Sequence, residues 1–305
     1  MPDYSILLSV VICTYNRAKY LPDALKSLTL QSANCFDFEI VIVNNNSTDN
    51  TELLCLDFIK KNPSLNINYC IEKQPGLSFA RNRGIEEAQG TFISFIDDDG
   101  IAREDYVANL LKSFDDHPNY GAIGGKVIPI YESGEEPAWM NKYIQGVVSK
   151  VDYGERKSDF DKKFPVGCNM AFRKKLFEKY GGFNTDLVYR GDDKFVFVNL
   201  KKNGVKVLYD PEVYVNHFID AYRVEKKFID KISKSIGASE RLRLQNEGVM
   251  ANVGKLIEYF FKFGASFVLF ILFMFKGQYL KGIYSIRVMW FTIIGYFSGG
   301  KSASL

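Results

Sequence analysis

Residues 91–99 read TFISFIDDD, an apolar run that ends in three consecutive aspartates. The β-branched and aromatic residues from Phe92 to Ile96 are typical of a buried strand. Adjacent carboxylates at the tip of a strand need a divalent cation or a bound cationic group to offset their charge. Oxygen ligands of this kind favour Mg²⁺ or Mn²⁺, which also bind substrate phosphates. The alternative, on this motif alone, is an acidic surface turn.

Strand and helix patterns alternate around this stretch. The apolar runs Ile6–Cys13 and Phe38–Val43 predict strands, and apolar residues at helical spacing follow each of them. This alternation predicts an α/β fold with a mixed, mostly parallel sheet flanked by helices. Ligands of such sheets bind outside the carboxyl ends of the strands. Thr14, Asn44 and Asp97 occupy three such ends, so we expect them around one crevice.

Composition excludes several classes of protein. The 305 residues carry a formal net charge of +3, which gives no reason to expect a nucleic-acid partner. Five cysteines without CxxC spacing argue against a zinc site or a disulfide framework and favour a reducing, cytosolic setting. No basic region precedes Ile6–Cys13, so this run predicts a first strand and not a signal peptide.

The second half of the chain is less regular. Gly121–Ile130 predicts a strand pair or one bent strand, and Lys206–Tyr209 and Val213–Val215 predict two short strands. Tyr131–Asp161 is polar and irregular, and we expect it to form a mobile loop that contacts the acceptor. Trp139 in this loop could stack on a ring of the ligand or anchor the loop, and the sequence leaves both alternatives open.

The C-terminal segment is apolar and aromatic. Phe263–Phe275 carries no charge and Ile283–Tyr296 carries only Arg287, but each run is shorter than the ~20 residues that span a bilayer. Eight basic residues precede these runs: Lys226, Lys227, Lys231, Lys234, Arg241, Arg243, Lys255 and Lys262. This bias is typical of a cytoplasmic membrane face. Interfacial helices, a short membrane hairpin and a homo-oligomer interface are the three alternatives, and the aromatic content favours membrane association.

Seven short motifs together resemble the family 2 glycosyltransferases of the GT-A fold. They are residues 9–17 (SVVICTYNR), 39–49 (EIVIVNNNSTD), 75–84 (PGLSFARNRG), 95–99 (FIDDD), 167–173 (GCNMAFR), 181–183 (GGF) and 191–193 (GDD). The resemblance spans residues 5–218. It implies a GT-A (Rossmann-like) catalytic domain at 1–220, with a nucleotide-sugar-binding half at 1–119 and an acceptor-binding half at 120–220. Residues 221–305 would then form a basic helical linker and hydrophobic membrane-associated helices.

The resemblance implies a divalent metal cofactor, Mn²⁺ or Mg²⁺, at the three aspartates. Asp99 is the implied direct ligand, while Asp97 and Asp98 contact the ribose or the ligand waters, with Asp97 also in the metal site. His217 stands where the resemblance implies a third metal or diphosphate contact. A lone histidine is otherwise a packed or surface residue.

The resemblance also implies a pocket for the nucleotide sugar. Its residues are Thr14, Asn16 and Arg17 after the first strand, Asn44 and Asn46 after the second, and Arg81. The family often carries aspartate where Asn44 stands, and an amide both accepts and donates hydrogen bonds, so uridine specificity is less well supported than nucleotide binding. Arg81 lies near a helix N-terminus and could pair with phosphate. The alternative for Arg81 is a solvated helix residue.

Asp192 and Asp193 stand at the start of a predicted helix. The resemblance implies that Asp193 is the catalytic base and that Asp192 orients the site or the acceptor. A carboxylate within reach of the attacking hydroxyl suits a single in-line displacement with inversion. Capping of the helix by Asp192 is the structural alternative, and it is compatible with catalysis by Asp193.

Together these features predict an inverting glycosyltransferase that moves a sugar from a nucleotide-diphosphate donor, a UDP-sugar, to a saccharide or lipid-linked saccharide. We expect it at the cytoplasmic face of the membrane, in cell-surface polysaccharide synthesis. Three alternatives are transfer to polyprenyl phosphate, a nucleotidyltransferase, and an inactive interaction protein. A nucleotidyltransferase would carry a Gly-rich, basic loop after the first strand, where this chain has residues 14–17, TYNR. Intact Asp99 and Asp193 argue against an inactive protein.

Overall fold

The computed structural model describes residues 6–161, 163–187, 191–245 and 247–298, which form two compact units. The first unit comprises residues 6–129, 151–187 and 192–218. The second comprises residues 130–150, Gly191 and residues 219–298. The predicted division at residue 220 stays a prediction, and its outermost residues, 1–5 and 299–305, lie outside the described chain. The units differ from that division by grouping residues 130–150 with the C-terminal helices.

Across the described residues the chain forms nine strands and nine α-helices. The strands are β1 (Leu8–Thr14), β2 (Phe38–Asn44), β3 (Ile67–Ile71), β4 (Phe92–Asp97), β5 (Gly100–Ala102), β6 (Tyr120–Tyr131), β7 (Ser158–Asp159), β8 (Met170–Arg173) and β9 (Lys206–Ile219). The helices are α1 (Leu21–Thr29), α2 (Thr51–Lys61), α3 (Leu77–Glu87), α4 (Tyr106–Asp116), α5 (Lys175–Tyr180), α6 (Asp192–Lys202), α7 (Lys226–Leu244), α8 (Val249–Phe275) and α9 (Tyr279–Ser298). Short 3₁₀ turns lie at Gln145–Val148 and Ala221–Val224.

The strands form one mixed sheet in the order β3-β2-β1-β4-β8-β6-β9-β5, with β7 paired to β9. The prediction of a mixed α/β sheet is confirmed. Its parallel part is confined to β3, β2, β1 and β4, where helical crossovers connect the strands. The pairs β4–β8, β6–β8, β5–β9 and β7–β9 are antiparallel. Of the two alternatives predicted for 121–130, the single strand is the correct one, β6, whereas the two short strands predicted at 206–215 are one strand, β9.

Two apolar layers cover the faces of this sheet. Alternate residues of a strand point to opposite faces, and β1 follows this rule. Leu8, Val10 and Ile12 belong to the cluster that contains α1 and α4, whereas Val11 belongs to the cluster that contains α5 and α6. Burial on both faces explains why β1 is apolar at nearly every position.

Strand register brings the predicted site residues to one edge of the sheet. Thr14 pairs in register with Asn44, and Cys13 pairs with Asp97. The carboxyl ends of β1, β2 and β4 therefore lie side by side, as the alternating sequence pattern predicts. The antiparallel pairing of β5 with β9 adds a residue from far along the chain, because it places Gly100 opposite His217.

The second unit is a helical structure built from α7, α8 and α9. Trp139 is buried and stacks on Tyr284 of α9, with ring centroids 4.7 Å apart and planes 9° apart. Of its two predicted roles, the anchoring of the loop is the one that this stacking shows. The predicted irregular segment is thus held in place, at least from Trp139 to the turn at Gln145–Val148, by apolar packing within this unit.

Helix α8 is longer than the sequence pattern predicts. The pattern gave a charge-free run at 263–275, but the helix begins at Val249 and has 27 residues. The earlier part contains Lys255, Glu258 and Lys262, which pair with one another and so fit within the helix. Among the described residues, α8 is the one helix that is long and apolar enough to cross a membrane.

Candidate active site

Asp97, Asp99 and His217 form a cluster at the end of β4. Their potential ligand atoms all lie within 4.8 Å of one another. His217 Nε2 lies 3.1 Å from Asp99 Oδ1, and both side chains are buried. Two carboxylates suit Mg²⁺ or Mn²⁺, and an imidazole nitrogen favours a transition metal over Mg²⁺. The donor set therefore fits a divalent cation, and Mn²⁺ satisfies both preferences.

Arg17 lies against the same aspartates. Its guanidinium pairs with Asp99 through Nη2 and donates through Nε to Asp98 Oδ1 at 3.3 Å. The guanidinium also stacks over the ring of Tyr20, 4.1 Å from its centroid. One face of the acidic cluster is thus neutralised by a cation from the loop after β1. Sequence reasoning placed Arg17 in the nucleotide pocket but did not predict these contacts or the role of Tyr20.

Asp98 has an unusual acidity. Burial and the neighbouring charge of Asp99 raise the pKa of Asp98 to about 7, although Arg17 and the Thr14 hydroxyl oppose this shift. Burial, reinforced by the charge of Asp99, therefore makes Asp98 a weaker acid than an ordinary aspartate. A buried group of carboxylates of this kind is a candidate site for binding a cation.

Arg81 is buried between two carboxylates. It is 3% exposed, Nη1 donates to Asp192 Oδ2 at 2.5 Å, and Nη2 donates to Asp97 Oδ1 at 3.2 Å. Phe183 lies against the guanidinium, which is 5.4 Å from the ring centroid. Burial alone would disfavour the charged form, but Asp192 and Asp97 raise the pKa of Arg81 above its usual value. The alternative of a solvated helix arginine is therefore wrong, and phosphate binding by Arg81 stays a prediction.

Asp192 and Asp193 open α6 and differ in their surroundings. Asp192 is 5% exposed and faces Arg81, so its carboxylate is engaged within the protein. Asp193 is half-buried, and its Oδ2 accepts a hydrogen bond from Gly167 N at 3.0 Å. Its Oδ1 accepts from Lys194 N at 2.6 Å. The N–H of Gly167, in the loop before β8, and that of Lys194, in the first turn of α6, hold the Asp193 carboxylate in one orientation.

Gly167 is a site residue to which sequence reasoning gave no role. A Cβ at this position would lie 2.4 Å from Nη2 of Arg81, so the backbone can pass the guanidinium only at a glycine. Gly167 is the first residue of the motif at residues 167–173, but the sequence alone does not show that Arg81 packs against its backbone. Gly167 therefore connects two site residues, because it contacts Arg81 and donates to Asp193.

The loops after β1 and β2 brace each other beside this cluster. Asn16 and Asn46 adopt left-handed backbone conformations, with φ of 52° and 59°. Asn16 Oδ1 accepts a hydrogen bond from Thr48 N at 2.7 Å, and Thr14 O accepts one from Asn45 N at 2.8 Å. These bonds shape a polar rim from residues predicted to bind the nucleotide. The structure does bring Thr14, Asn16, Asn44 and Asn46 together.

The side chain of Asn44 is held by hydrogen bonds within the protein. It is 2% exposed, its Nδ2 donates to Tyr69 Oη at 2.9 Å, and its Oδ1 accepts from Ser47 N at 2.9 Å. Both ends of the amide thus bond within the protein, because β2 ends in a turn that closes over the side chain. Contact between Asn44 and a nucleobase stays a prediction, and the turn that Asn44 stabilises is what the structure shows.

The buried cysteine beside the site is chemically inert. Burial raises the pKa of the Cys168 thiol well above its usual value. A thiol with a raised pKa stays protonated at neutral pH and is a poor nucleophile. The Cys168 thiol is therefore a poor candidate for a nucleophile at this edge of the sheet.

Comparison with known proteins identifies the family. The family model described as Glycosyl transferase family 2 matches residues 9–181. The chain is 25% identical over 226 residues to a glucosyl-dolichyl phosphate glucuronosyltransferase from Haloferax volcanii, covering 71% of each chain. The chain spans only 13% and 36% of two longer curated relatives.

Solved structures show the same GT-A fold. A mannosyltransferase from Pyrobaculum calidifontis, solved with GDP-mannose and Mn²⁺, matches with a TM-score of 0.60 at 18% identity. The match covers 99% of this chain and 79% of that one. Residues 1–349 of TarS from S. aureus, solved with UDP, match with a TM-score of 0.52 at 18% identity, covering 77% and 65%.

Proposed function

The chain belongs to glycosyl transferase family 2 and is a glycosyltransferase, and from this premise we propose a specific reaction. It transfers a sugar from a nucleotide-diphosphate donor, a UDP-sugar, to a hydroxyl group of a saccharide or lipid-linked saccharide, with inversion at the anomeric carbon. One observation carries the proposal: Asp97, Asp99 and His217 form a cluster at the edge of the sheet where Asp193 also lies. Arg81 connects the two parts, because it pairs with Asp97 of the cluster and with Asp192, the neighbour of Asp193.

Asp99, Asp97 and His217 would hold the metal ion, and their donor set favours Mn²⁺. A divalent ion bound there would neutralise the charge that develops on the leaving diphosphate. Arg17 would add a second positive charge on the same side of the cluster, because its guanidinium already pairs with Asp98 and Asp99. The chain's own residues therefore offer both a cation site and a fixed cation for a diphosphate.

The nucleoside would lie against the loops after β1 and β2. Thr14, Asn16 and Asn46 provide polar groups there, and the side chain of Asn44 keeps the second loop closed. Asp98 would accept hydrogen bonds from the ribose. We take a UDP-sugar as the donor; of the two solved structures that share this fold, TarS binds UDP and the P. calidifontis enzyme binds GDP-mannose. Screening of donors decides between these bases.

Asp193 would accept the proton of the acceptor hydroxyl. Two backbone N–H groups hold its carboxylate in place, and it is more accessible than Asp192. Asp192 would act by fixing Arg81, which in turn fixes Asp97. A base on one side of the sugar and a leaving diphosphate on the other is the arrangement of a single displacement with inversion.

The acceptor would be a lipid-linked saccharide at the cytoplasmic face of the membrane, in the synthesis of a cell-surface polysaccharide. The apolar helix α8 supports this location, and the H. volcanii relative is named for a glucosyl-dolichyl phosphate. Transfer to a bare polyprenyl phosphate is the alternative. A phosphate acceptor needs no general base, so the carboxylate of Asp193 would have no role in that reaction. Product analysis with polyprenyl phosphate as the only acceptor separates the two reactions.

A thermal-shift screen of nucleotide sugars tests the proposal. We expect one UDP-sugar to raise the Tm of the protein with Mn²⁺ present and to have a much smaller effect with EDTA. Asp99→Asn should remove the metal-dependent part of the shift. Asp57→Asn, a surface aspartate paired with Lys61, should behave like the wild type. A Tm shift that is the same with and without Mn²⁺, and the same in Asp99→Asn, would overturn the metal assignment. The absence of a Tm shift with every nucleotide sugar would overturn the donor class.

A further inference from the structure

Helix α8 carries a continuous apolar face that nothing in the described chain covers. Its exposed apolar residues are Val249, Met250, Val253, Leu256, Ile257, Phe260, Phe261, Phe267, Val268, Ile271, Leu272, Met274 and Phe275. Phe260 and Phe275 are 76% and 88% exposed. The opposite face packs on α9, where Tyr259 contacts Tyr296 and Phe263 contacts Trp290. Exposed apolar area on this scale marks an interaction surface.

The charges in α8 limit how it can meet a membrane. Lys255 pairs with Glu240 of α7 at 3.1 Å and with Glu258 at 2.7 Å, and Lys262 pairs with Glu258. The longest charge-free run of α8 is residues 263–275. At 1.5 Å per residue this run is about 20 Å long, against a hydrocarbon core of about 30 Å. An upright α8 would place its charged pairs inside the bilayer.

Helix α9 is tied to polar partners and so cannot accompany α8 across a bilayer. A Cβ on Gly237 would lie 1.9 Å from Thr292 O, and one on Gly295 would lie 1.9 Å from Lys234 O, so α7 and α9 touch backbone to backbone. Arg287 of α9 forms a two-pronged ion pair with Asp230 of α7. Moving α9 into hydrocarbon would take the basic helix α7 with it, at a large cost in free energy.

The sign of the charge around these helices identifies the kind of lipid. Between residues 226 and 298 the sequence has eleven Lys and Arg against four Asp and Glu. Basic side chains beside an apolar helix face are the signature of a helix that lies at an anionic membrane surface. A second copy of the chain would have the same positive charge and would be repelled.

We infer that α8 lies flat in one leaflet of an anionic bilayer, with its outer apolar face in the acyl region, and does not cross the membrane. The inference deepens the proposed function, since it rests on the membrane location given there and specifies its geometry. It resolves the three alternatives that the sequence left open in favour of the interfacial helix. Both ends of α8 then stay on the same side of the membrane as the rest of the chain.

Cysteine labelling on vesicles tests this geometry. Gln245→Cys and Gln278→Cys place exposed thiols before and after α8 in the full-length protein. The protein is added to sealed phosphatidylglycerol/phosphatidylcholine vesicles and treated outside with a membrane-impermeant maleimide, and peptide mass spectrometry measures modification at each site. We expect both sites to react to the same extent as in detergent. Reaction at residue 245 with protection at residue 278, relieved by detergent, would show a spanning helix and overturn the inference.

Vesicle flotation tests the surface itself. The double substitution Phe260→Glu/Phe261→Glu should reduce the vesicle-bound fraction at least tenfold. Leu53→Glu replaces an exposed apolar residue of α2 and should leave that fraction unchanged. Binding of the wild-type protein should fall when phosphatidylglycerol is left out of the vesicles and when salt is added. Equal binding by the double variant, or a wild-type dimer that the double variant dissociates, would overturn the inference. The UDP-sugar thermal shift, measured on the same variants, reports separately on the proposed function.

Discussion

The two units of the chain depart from ordinary burial in opposite ways. The first unit buries charged side chains, with Arg81, Asp99 and Asp192 all at most 5% exposed. The second unit exposes apolar side chains along α8. Buried charge costs free energy unless a charge of opposite sign lies beside it, and exposed apolar area costs free energy unless another apolar surface covers it. The comparison agrees with the proposed function, in which the first unit binds a charged ligand and the second meets an apolar phase.

The largest expected effect concerns the carboxylate of Asp193 in the first unit. Asp193→Asn should lower the rate of sugar transfer by about 10²–10⁴-fold, the usual contribution of a general base, with donor affinity unchanged. Asp57→Asn serves as the control. Initial rates and donor titrations on the same samples measure both quantities. Wild-type turnover by Asp193→Asn would remove Asp193 from the role of base.

Buried and surface arginines of α3 give the next comparison. Arg81→Met leaves Asp97 and Asp192 without their shared cation, so it should lower the free energy of unfolding by about 3–5 kcal/mol. Arg83 of the same helix pairs with Glu87 at the surface, and Arg83→Met should cost less than about 1 kcal/mol. Urea denaturation measures both. Equal effects of the two substitutions would show that burial adds nothing to the Arg81 bridge.

Two glycines allow the same comparison of a buried and an exposed position in the second unit. Gly237→Ala would bring a methyl group against the backbone of α9 and should destabilise the protein by about 1–3 kcal/mol. Gly254 lies in α8 with no neighbouring atom within 4 Å, and Gly254→Ala should stabilise the helix by up to about 1 kcal/mol. Thermal melts followed by circular dichroism compare them. A stabilising Gly237→Ala would contradict the close packing of α7 on α9.

The smallest expected effect concerns the ion pair that holds α9 to α7. Arg287 and Asp230 are each about one-fifth exposed, so Arg287→Met should cost about 1 kcal/mol or slightly more. The vesicle-bound fraction should stay unchanged because the outer face of α8 is untouched. Loss of vesicle binding in this variant would show that α9 takes a direct part in the membrane contact.

The sequence was sufficient where local patterns determine the structure. Alternating apolar runs predicted β1, β2 and β4 and the polar residues at their ends. The antiparallel half was less predictable, because β6 and β9 are long strands whose pairing is decided by partners far along the chain. Burial of Arg81 and the anchoring of Trp139 depend on tertiary contacts that leave no periodic signal. The approach of His217 likewise requires a three-residue strand, β5, which is too short to predict.

The stereochemistry of donor cleavage tests the central claim most directly. With no acceptor present, water can take the place of the acceptor hydroxyl and attack the anomeric carbon of an α-linked UDP-sugar. Proton NMR, recorded before the released sugar equilibrates, identifies the anomer that forms first. An inverting displacement assisted by Asp193 predicts the β-anomer. Initial release of the α-anomer would contradict the single-displacement site described above.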